Sequence, residues 1–189
     1  MTRGFDSILL DASCLLNLYA TGHLRDITAA LPYQFRVADY VVEREALFVW
    51  RPGPTDGREV QEPVDLGSLL DEGLIQQARL ENQIEEATFV ALAADLDDGE
   101  AVTGAIAFHR GCAVATDDRK ARRVLGQLIP PVELVYTLEL LKHWADATGV
   151  PMDVLRAAMA EMQSSASYVP GARHPLYEWW RLVVSWSGI

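Results

Sequence analysis

Acidic residues stand at three points of the chain where a strand ends or a helix begins. Asp11 closes a short apolar run, Asp117 and Asp118 follow a second run, Cys112–Thr116, and Glu100 opens a stretch of small and apolar residues. Crowded carboxylates repel one another and become tolerable when a cation lies between them. Carboxylates without histidine or cysteine partners favour Mg²⁺ or Mn²⁺, which activate water for phosphodiester hydrolysis.

Short apolar runs alternate along the chain with segments of helical character, which predicts a mainly parallel sheet with helices on both faces. Strands are predicted at 7–11, 35–38, 74–80, 112–116 and 132–136, and helices at 14–22, 24–30, 40–50, 84–96, 100–110, 119–128, 138–148 and 151–163. Thr137 is the predicted N-cap of the seventh helix. In such sheets ligands bind beyond the carboxyl ends of the strands, where Asp11, Asp117 and Asp118 lie.

The composition is that of an ordinary globular protein, with 189 residues of which 50% are hydrophobic and 23% charged. The net charge of −11 argues against a generally basic nucleic-acid surface, but not against chemistry at acids neutralised by metal ions. No stretch is apolar and long enough to cross a bilayer, and we expect a cytoplasmic protein without membrane contact. Cys14 and Cys112 lie in apolar runs and are expected to be buried, reduced thiols.

Three motifs, in this order, resemble the PIN-domain family, the fold of VapC-type toxin ribonucleases and related metal-dependent nucleases. They are Leu9-Leu10-Asp11-Ala12-Ser13-Cys14-Leu15-Leu16-Asn17-Leu18, Asp98-Gly99-Glu100-Ala101, and Ala115-Thr116-Asp117-Asp118-Arg119-Lys120-Ala121-Arg122. The resemblance runs from about residue 8 to residue 137. It implies a three-layer α/β/α sandwich, a four-acid site for Mg²⁺ or Mn²⁺, and endonucleolytic cleavage of RNA.

The resemblance assigns the four catalytic acids to Asp11, Glu45, Glu100 and Asp118. Asp11, Glu100 and Asp118 are also the implied metal ligands, with Asp117 as a further ligand or as a residue behind the ligands. The acid on the third helix lies within Val42-Glu43-Arg44-Glu45-Ala46, where the family spacing favours Glu45. Glu43 stays open as the alternative.

Neighbours of these acids receive supporting roles from the same resemblance. Ser13 corresponds to the small hydroxyl residue that supports the first acid, and Thr116 is placed to bond the site or a phosphate. The basic residues at the start of the sixth helix are expected either to contact the RNA backbone or to form a solvated helix face; they are Arg119, Lys120, Arg122 and Arg123.

The chain departs from small toxin members of the family in its C-terminal part. We predict a PIN-like domain over 1–148, with a loop or hairpin insertion at about 51–66 that is a plausible lid, and a helical, aromatic extension over 149–189 packed on it. Tyr177, Trp179 and Trp180 suit packing on the domain, a homodimer contact, or stacking on bases of single-stranded RNA. The implied partners are RNA, an antitoxin protein and a second copy of the chain.

Two other functions fit parts of the sequence. A PIN-fold module that binds RNA or protein with little turnover would also account for the acidic charge and the aromatic tail. A phosphatase with an aspartyl nucleophile, or a phosphoacceptor receiver, also has an acid after its first strand. Asp11-Ala12-Ser13 lacks the second acid that a nucleophile motif of this kind needs. We therefore expect a metal-dependent ribonuclease.

Overall fold

A computed structural model describes residues 4–53 and 59–187 and shows a central sheet of five parallel strands. In chain order the strands are β1 (Ser7–Leu10), β2 (Gln34–Ala38), β3 (Phe48–Pro52), β4 (Glu59–Pro63), β5 (Ile75–Ala78), β6 (Ala113–Ala115) and β7 (Leu134–Val135). The sheet has the order β5-β2-β1-β6-β7, and every neighbouring pair is parallel. The predicted α/β class with a parallel sheet is confirmed.

Helices flank this sheet, as expected for a three-layer α/β/α sandwich. They are α1 (Ala12–Ala20), α2 (Leu24–Ala30), α3 (Gly67–Asp71), α4 (Gln83–Leu92), α5 (Asp98–Arg110), α6 (Arg119–Gly126), α7 (Thr137–Thr148), α8 (Met152–Ala166) and α9 (Tyr177–Val184). The central strands are buried on both faces, and Ile8, Leu9 and Leu10 of β1 are fully inaccessible to solvent. Continuous apolar sequence is what such strands require.

The helix predicted over 40–50 is wrong. The chain makes one π-helical turn, Val41–Glu45, and then enters β3, which pairs with β4 in an antiparallel hairpin. The alternation of aromatic and β-branched side chains in Phe48-Val49-Trp50 favours a strand, and Val49 is buried. The predicted insertion is therefore a hairpin that begins before residue 51. Residues 54–58 of the proposed lid lie outside the described residues.

The C-terminal helices pack on the sheet domain and on the hairpin. The Arg51 guanidinium of β3 donates to Glu161 Oε2 at 3.0 Å and to Ser165 Oγ at 3.3 Å, both on α8, and to the Ala20 carbonyl at 3.1 Å. Trp179 and Trp180 of α9 are partly buried against the core. Arg51 thereby joins three segments that are far apart in the chain.

Two smaller predictions near the carboxyl edge of the sheet are also corrected. The N-cap of α7 is Tyr136, and Thr137 is the first helical residue, so that its hydroxyl is available to another partner. The strand predicted over 132–136 is limited to Leu134–Val135. In the part of the chain that the structure describes, no helix has the length and apolarity needed to span a membrane.

Candidate active site

Three of the helices that begin at the carboxyl edge of the sheet, α1, α5 and α6, are capped by an aspartate. Asp11 Oδ1 accepts from the Ala12 amide at 2.7 Å at the start of α1, and Asp97 accepts from the Glu100 amide at 3.1 Å at the start of α5. Asp118 Oδ1 accepts from the amide of Lys120 at 2.6 Å at the start of α6. N-capping and the helix dipole favour an acid at each position. Capping thus gives a local reason for each aspartate, and the fold gathers all three at one edge.

Asp11 is the most deeply placed of these acids, with 4% of the residue exposed. Its Oδ2 accepts hydrogen bonds from Ser13 Oγ at 3.1 Å and from Thr116 Oγ1 at 2.9 Å. Thr116 Oγ1 also accepts from the Asp118 amide at 3.2 Å, which ties the loop after β6 to Asp11. Burial raises the pKa of Asp11, the hydroxyl donors oppose this rise, and the charge of Asp97 adds to it. Ser13 and Thr116 thus both hydrogen-bond to Asp11, and their predicted roles in a catalytic site stay predictions.

Glu45 lies against the first turn of α5. The backbone of Gly99 hydrogen-bonds to its carboxylate, and a Cβ atom at residue 99 would overlap that carboxylate. Only glycine therefore permits this contact. Burial, followed by the charges of Asp97 and Asp11, raises the pKa of Glu45. Glu43, the alternative acid, is exposed on the same π-helical turn, so the contacts favour Glu45 as the member of the cluster.

Glu100 is a half-buried member of this cluster with a raised pKa. Burial, together with the negative charges of Asp97, Asp118 and Asp11, raises its pKa to about 7. The Asp97 backbone opposes this rise, and the Glu100 amide donates to Asp97 Oδ1 at 3.1 Å. Burial and the repulsion between the carboxylates thus together favour a proton on Glu100 near neutral pH, and a cation would relieve the repulsion.

Asp97 is a member of the cluster that the sequence reasoning missed. Its charge raises the pKa of Asp11, of Glu45 and of Glu100. The available signal was the spacing Asp97-x-x-Glu100, which is typical of a capping box at the start of a helix. In the first turn of α5, the carboxylate of Asp98 instead accepts a hydrogen bond from the Tyr40 hydroxyl at 3.1 Å.

Asp117 has a different set of partners from Asp118. Its carboxylate accepts hydrogen bonds from the Thr137 hydroxyl, from the Thr137 amide at 3.2 Å, from Asn17 Nδ2 at 3.4 Å and from the Tyr168 hydroxyl at 3.5 Å. These donors belong to α7, to α1 and to the segment after α8. The metal-ligand role of Asp117 stays a prediction, while its contacts favour a role in joining these segments.

Replacing Asp117 by alanine should destabilise the fold by about 2–4 kcal/mol, because several donors at Thr137, Asn17 and Tyr168 would lose their acceptor. Tyr168→Phe removes only one of these bonds and should cost about 1 kcal/mol. Urea unfolding followed by circular dichroism measures both values. An Asp117→Ala protein with unchanged stability but without a stabilising response to Mn²⁺ would instead make Asp117 a metal ligand.

The basic residues of α6 separate into two groups. Arg119 and Lys120 are exposed beside Asp118, where their predicted contact with an RNA backbone remains open, and Arg123 is exposed as well. Arg122 donates to the carbonyls of Thr116 at 2.9 Å and Val135 at 3.1 Å, and its guanidinium lies 3.4 Å from the centre of the Tyr136 ring. Arg122 therefore connects the end of β6 to the end of β7 through these contacts.

The donor set at this edge has the chemistry of a hard divalent cation site, since it consists of carboxylate oxygens with hydroxyl support. The raised pKa values of Glu45 and Glu100 indicate negative charge that a cation would neutralise. Over residues 4–53 and 59–187, however, no three Asp, Glu, His or Cys side chains are arranged as a complete set of metal ligands. The residue types fit a metal ion, and the side chains would have to draw together to hold it.

Comparison with known proteins identifies no relative of this chain. No protein-family model, no curated protein and no solved structure matches this chain. The resemblance to the PIN-domain family therefore stays a prediction that rests on the three sequence motifs.

Proposed function

We propose that this protein is a PIN-like endoribonuclease that requires Mg²⁺ or Mn²⁺ and hydrolyses RNA phosphodiesters. The observation that carries the proposal is the set of mutually repelling carboxylates at the carboxyl edge of the sheet. Burial and the charges of Asp97, Asp118 and Asp11 together raise the pKa of Glu100 to about 7. An acidic cluster of this kind is costly to the fold, which argues that it is kept for chemistry rather than for stability.

Each residue of the cluster has a role in this proposal. Asp11 and Asp118, with Glu100, are the residues that would hold the ion, and Mg²⁺ or Mn²⁺ would supply the activation of water. Glu45 lies against the first turn of α5, within range of the charges of Asp97 and Asp11, and would orient the attacking water. Ser13 and Thr116 hold Asp11 in place through its Oδ2.

Replacing each of the two glutamates of the π-helical turn separately by glutamine tests the proposal, with Glu43 as the matched control. Glu45→Gln should reduce Mn²⁺-dependent cleavage of an unstructured RNA by about 10-fold or more, whereas Glu43→Gln should leave it unchanged. A fluorescent oligonucleotide on a denaturing gel measures both rates, and chelation with EDTA should abolish cleavage. Cleavage that survives EDTA, or equal loss in both variants, would contradict the proposed site.

A second function is favoured by one observation, namely that the described side chains do not form a complete ligand set. A PIN-like module that binds RNA or protein without turnover would not need one. Thermal melting during a metal titration separates the two functions when it is paired with cleavage assays. Stabilisation by Mn²⁺ without cleavage of any of several RNAs would support the binding module.

Partners and location follow from the same proposal. RNA is the proposed substrate, and an antitoxin protein or a second copy of the chain is a proposed regulator or partner. Cys14 and Cys112 are free, buried thiols, which suits a reducing compartment such as the cytoplasm.

A further inference from the structure

A groove of about 330 Å³ lies beside the acids, between α1, β3 and the end of α8. We name it the aromatic groove, after Phe48 and Trp50 in its wall; its polar lining residues are Ser13, Asn17, Glu45, Ser165 and Ser167. Its volume is at the lower end of the range of small-ligand sites. The groove was not foreseen from the sequence, because residues 48–50 were expected in a helix and α8 reaches the groove from far along the chain.

The two aromatic rings are held on a fixed strand and remain accessible. Phe48 and Trp50 are two residues apart on β3, with ring centres 5.6 Å apart, and they are 36% and 39% exposed. Between them, Val49 is buried, and the next residue, Arg51, is bound to α8. Accessible rings on a rigid strand provide a stacking surface with little loss of conformational entropy on binding.

The lining chemistry distinguishes a base from a phosphate. Among the described residues that line the groove, Glu45 is the one charged side chain, and the others carry hydroxyl, amide or apolar groups. A phosphate in the groove would meet the Glu45 carboxylate, whereas a neutral base would meet rings for stacking and hydroxyls for hydrogen bonds. The groove therefore suits an uncharged, planar, polar-edged group.

The aromatic groove is continuous with the acid cluster. Glu45 belongs to both, and Ser13 lines the groove while its hydroxyl donates to Asp11 Oδ2 at 3.1 Å. An RNA strand with a phosphate at the acids would therefore have an adjacent nucleoside within reach of Phe48 and Trp50.

We infer that the aromatic groove binds one base of single-stranded RNA next to the phosphate that is cleaved, with Phe48 and Trp50 as the stacking residues. This inference rests on the proposed function for the identity of the ligand. It assigns a substrate-positioning role to the hairpin and to the end of α8, which the sequence resemblance did not include.

Equilibrium binding tests the inference without requiring cleavage. The probe is a fluorescein-labelled, unstructured RNA hexamer of mixed sequence, measured by anisotropy in Ca²⁺ buffer, with a gel to show that the RNA stays intact. Trp50→Ala and the double variant Phe48→Ala/Trp50→Ala should raise Kd by about 5-fold to 100-fold. Trp50→Phe keeps a ring and should bind within about 3-fold of the wild type.

Val60→Ala is the matched control, because Val60 is 44% exposed on the paired strand β4 and does not line the groove. It should bind RNA like the wild type, and thermal melting should show that all variants are folded. Hexamers with one abasic position complete a double-mutant cycle. At one position, loss of the base should weaken wild-type binding while the double variant loses nothing further.

The outcomes separate this inference from the proposed function. The base-binding role would be overturned, even if cleavage is observed, if the double variant bound RNA as tightly as the wild type. It would also be overturned if the wild type and the double variant lost the same affinity at every abasic position. Either result would indicate that Phe48 and Trp50 contact a protein partner instead of RNA. RNA binding that depends on Trp50, in a protein that cleaves no RNA, would support the groove and overturn the nuclease. A wild type that neither binds nor cleaves RNA would overturn both.

Discussion

Replacing Asp11 by asparagine should abolish metal-dependent RNA cleavage while leaving the fold intact, with a fall in rate of about 100-fold or more. The asparagine side chain has the same shape but only one acceptor oxygen, which can still accept from the Ala12 amide that donates to Asp11 Oδ1 at 2.7 Å. Its NH₂ group would take the place of Oδ2 and donate to the hydroxyls of Thr116 and Ser13, which can rotate to accept. The asparagine lacks the charge that would hold a divalent cation. Because burial raises the pKa of Asp11, loss of the charge should not destabilise the metal-free protein.

Asp6→Asn is a suitable control for this variant. Asp6 is exposed and comes directly before β1, so it lies at the amino edge of the sheet, opposite the edge where Asp11 lies. Its replacement should leave cleavage and melting unchanged. If Asp11→Asn, prepared free of copurifying nuclease, cleaved RNA as fast as the wild type, Asp11 would not be part of the active site.

Affinity for Mn²⁺ should rise steeply with pH, by about 30-fold between pH 5.5 and pH 8, because Glu100 must lose its proton before it can hold the ion. Its pKa of about 7 places the midpoint of this dependence near neutrality. Isothermal titration at several pH values measures the affinity. Glu100→Gln should bind the ion more weakly and with a flatter pH profile, whereas Glu43→Gln should keep the wild-type profile.

The same carboxyl group determines the sign of the pH dependence of stability without metal. The pKa of Glu100 is higher in the folded protein than its ordinary value of 4.5, so the folded state binds more protons between pH 4.5 and about 7. The free energy of unfolding should therefore fall as the pH rises through this window. Saturating Mn²⁺ should abolish this loss, and a metal-free protein whose stability rises over the window would contradict the proposed cluster.

The parts of the fold that the sequence predicted are those with strong local patterns. The apolar run before Asp11 and the alternation of strand, acid and helix around residues 100–118 predicted α1, α5, α6 and their positions at one sheet edge. The caps at Asp11 and Asp118 depend on bonds within a few residues of each aspartate, which is why these two acids could be located, although the similar cap at Asp97 was missed.

Features that depend on distant partners were missed. The segment 48–52 is a strand because β4 pairs with it and because Arg51 binds Glu161, more than a hundred residues away. Asp117, and not its neighbour Asp118, accepts from Thr137. This choice depends on the positions of both the loop after β6 and α7. Adjacent residues of the same type carry no local signal for that choice.

Anomalous diffraction from crystals soaked in Mn²⁺ is the most direct test of the carboxylate pocket. We expect a manganese peak between Asp11, Glu100 and Asp118 in the wild type, with the side chains drawn together around it, and no peak there in Asp11→Asn. Wild-type crystals at saturating Mn²⁺ with no peak at this edge of the sheet, or with the ion bound elsewhere, would contradict the metal site and the nuclease that is built on it.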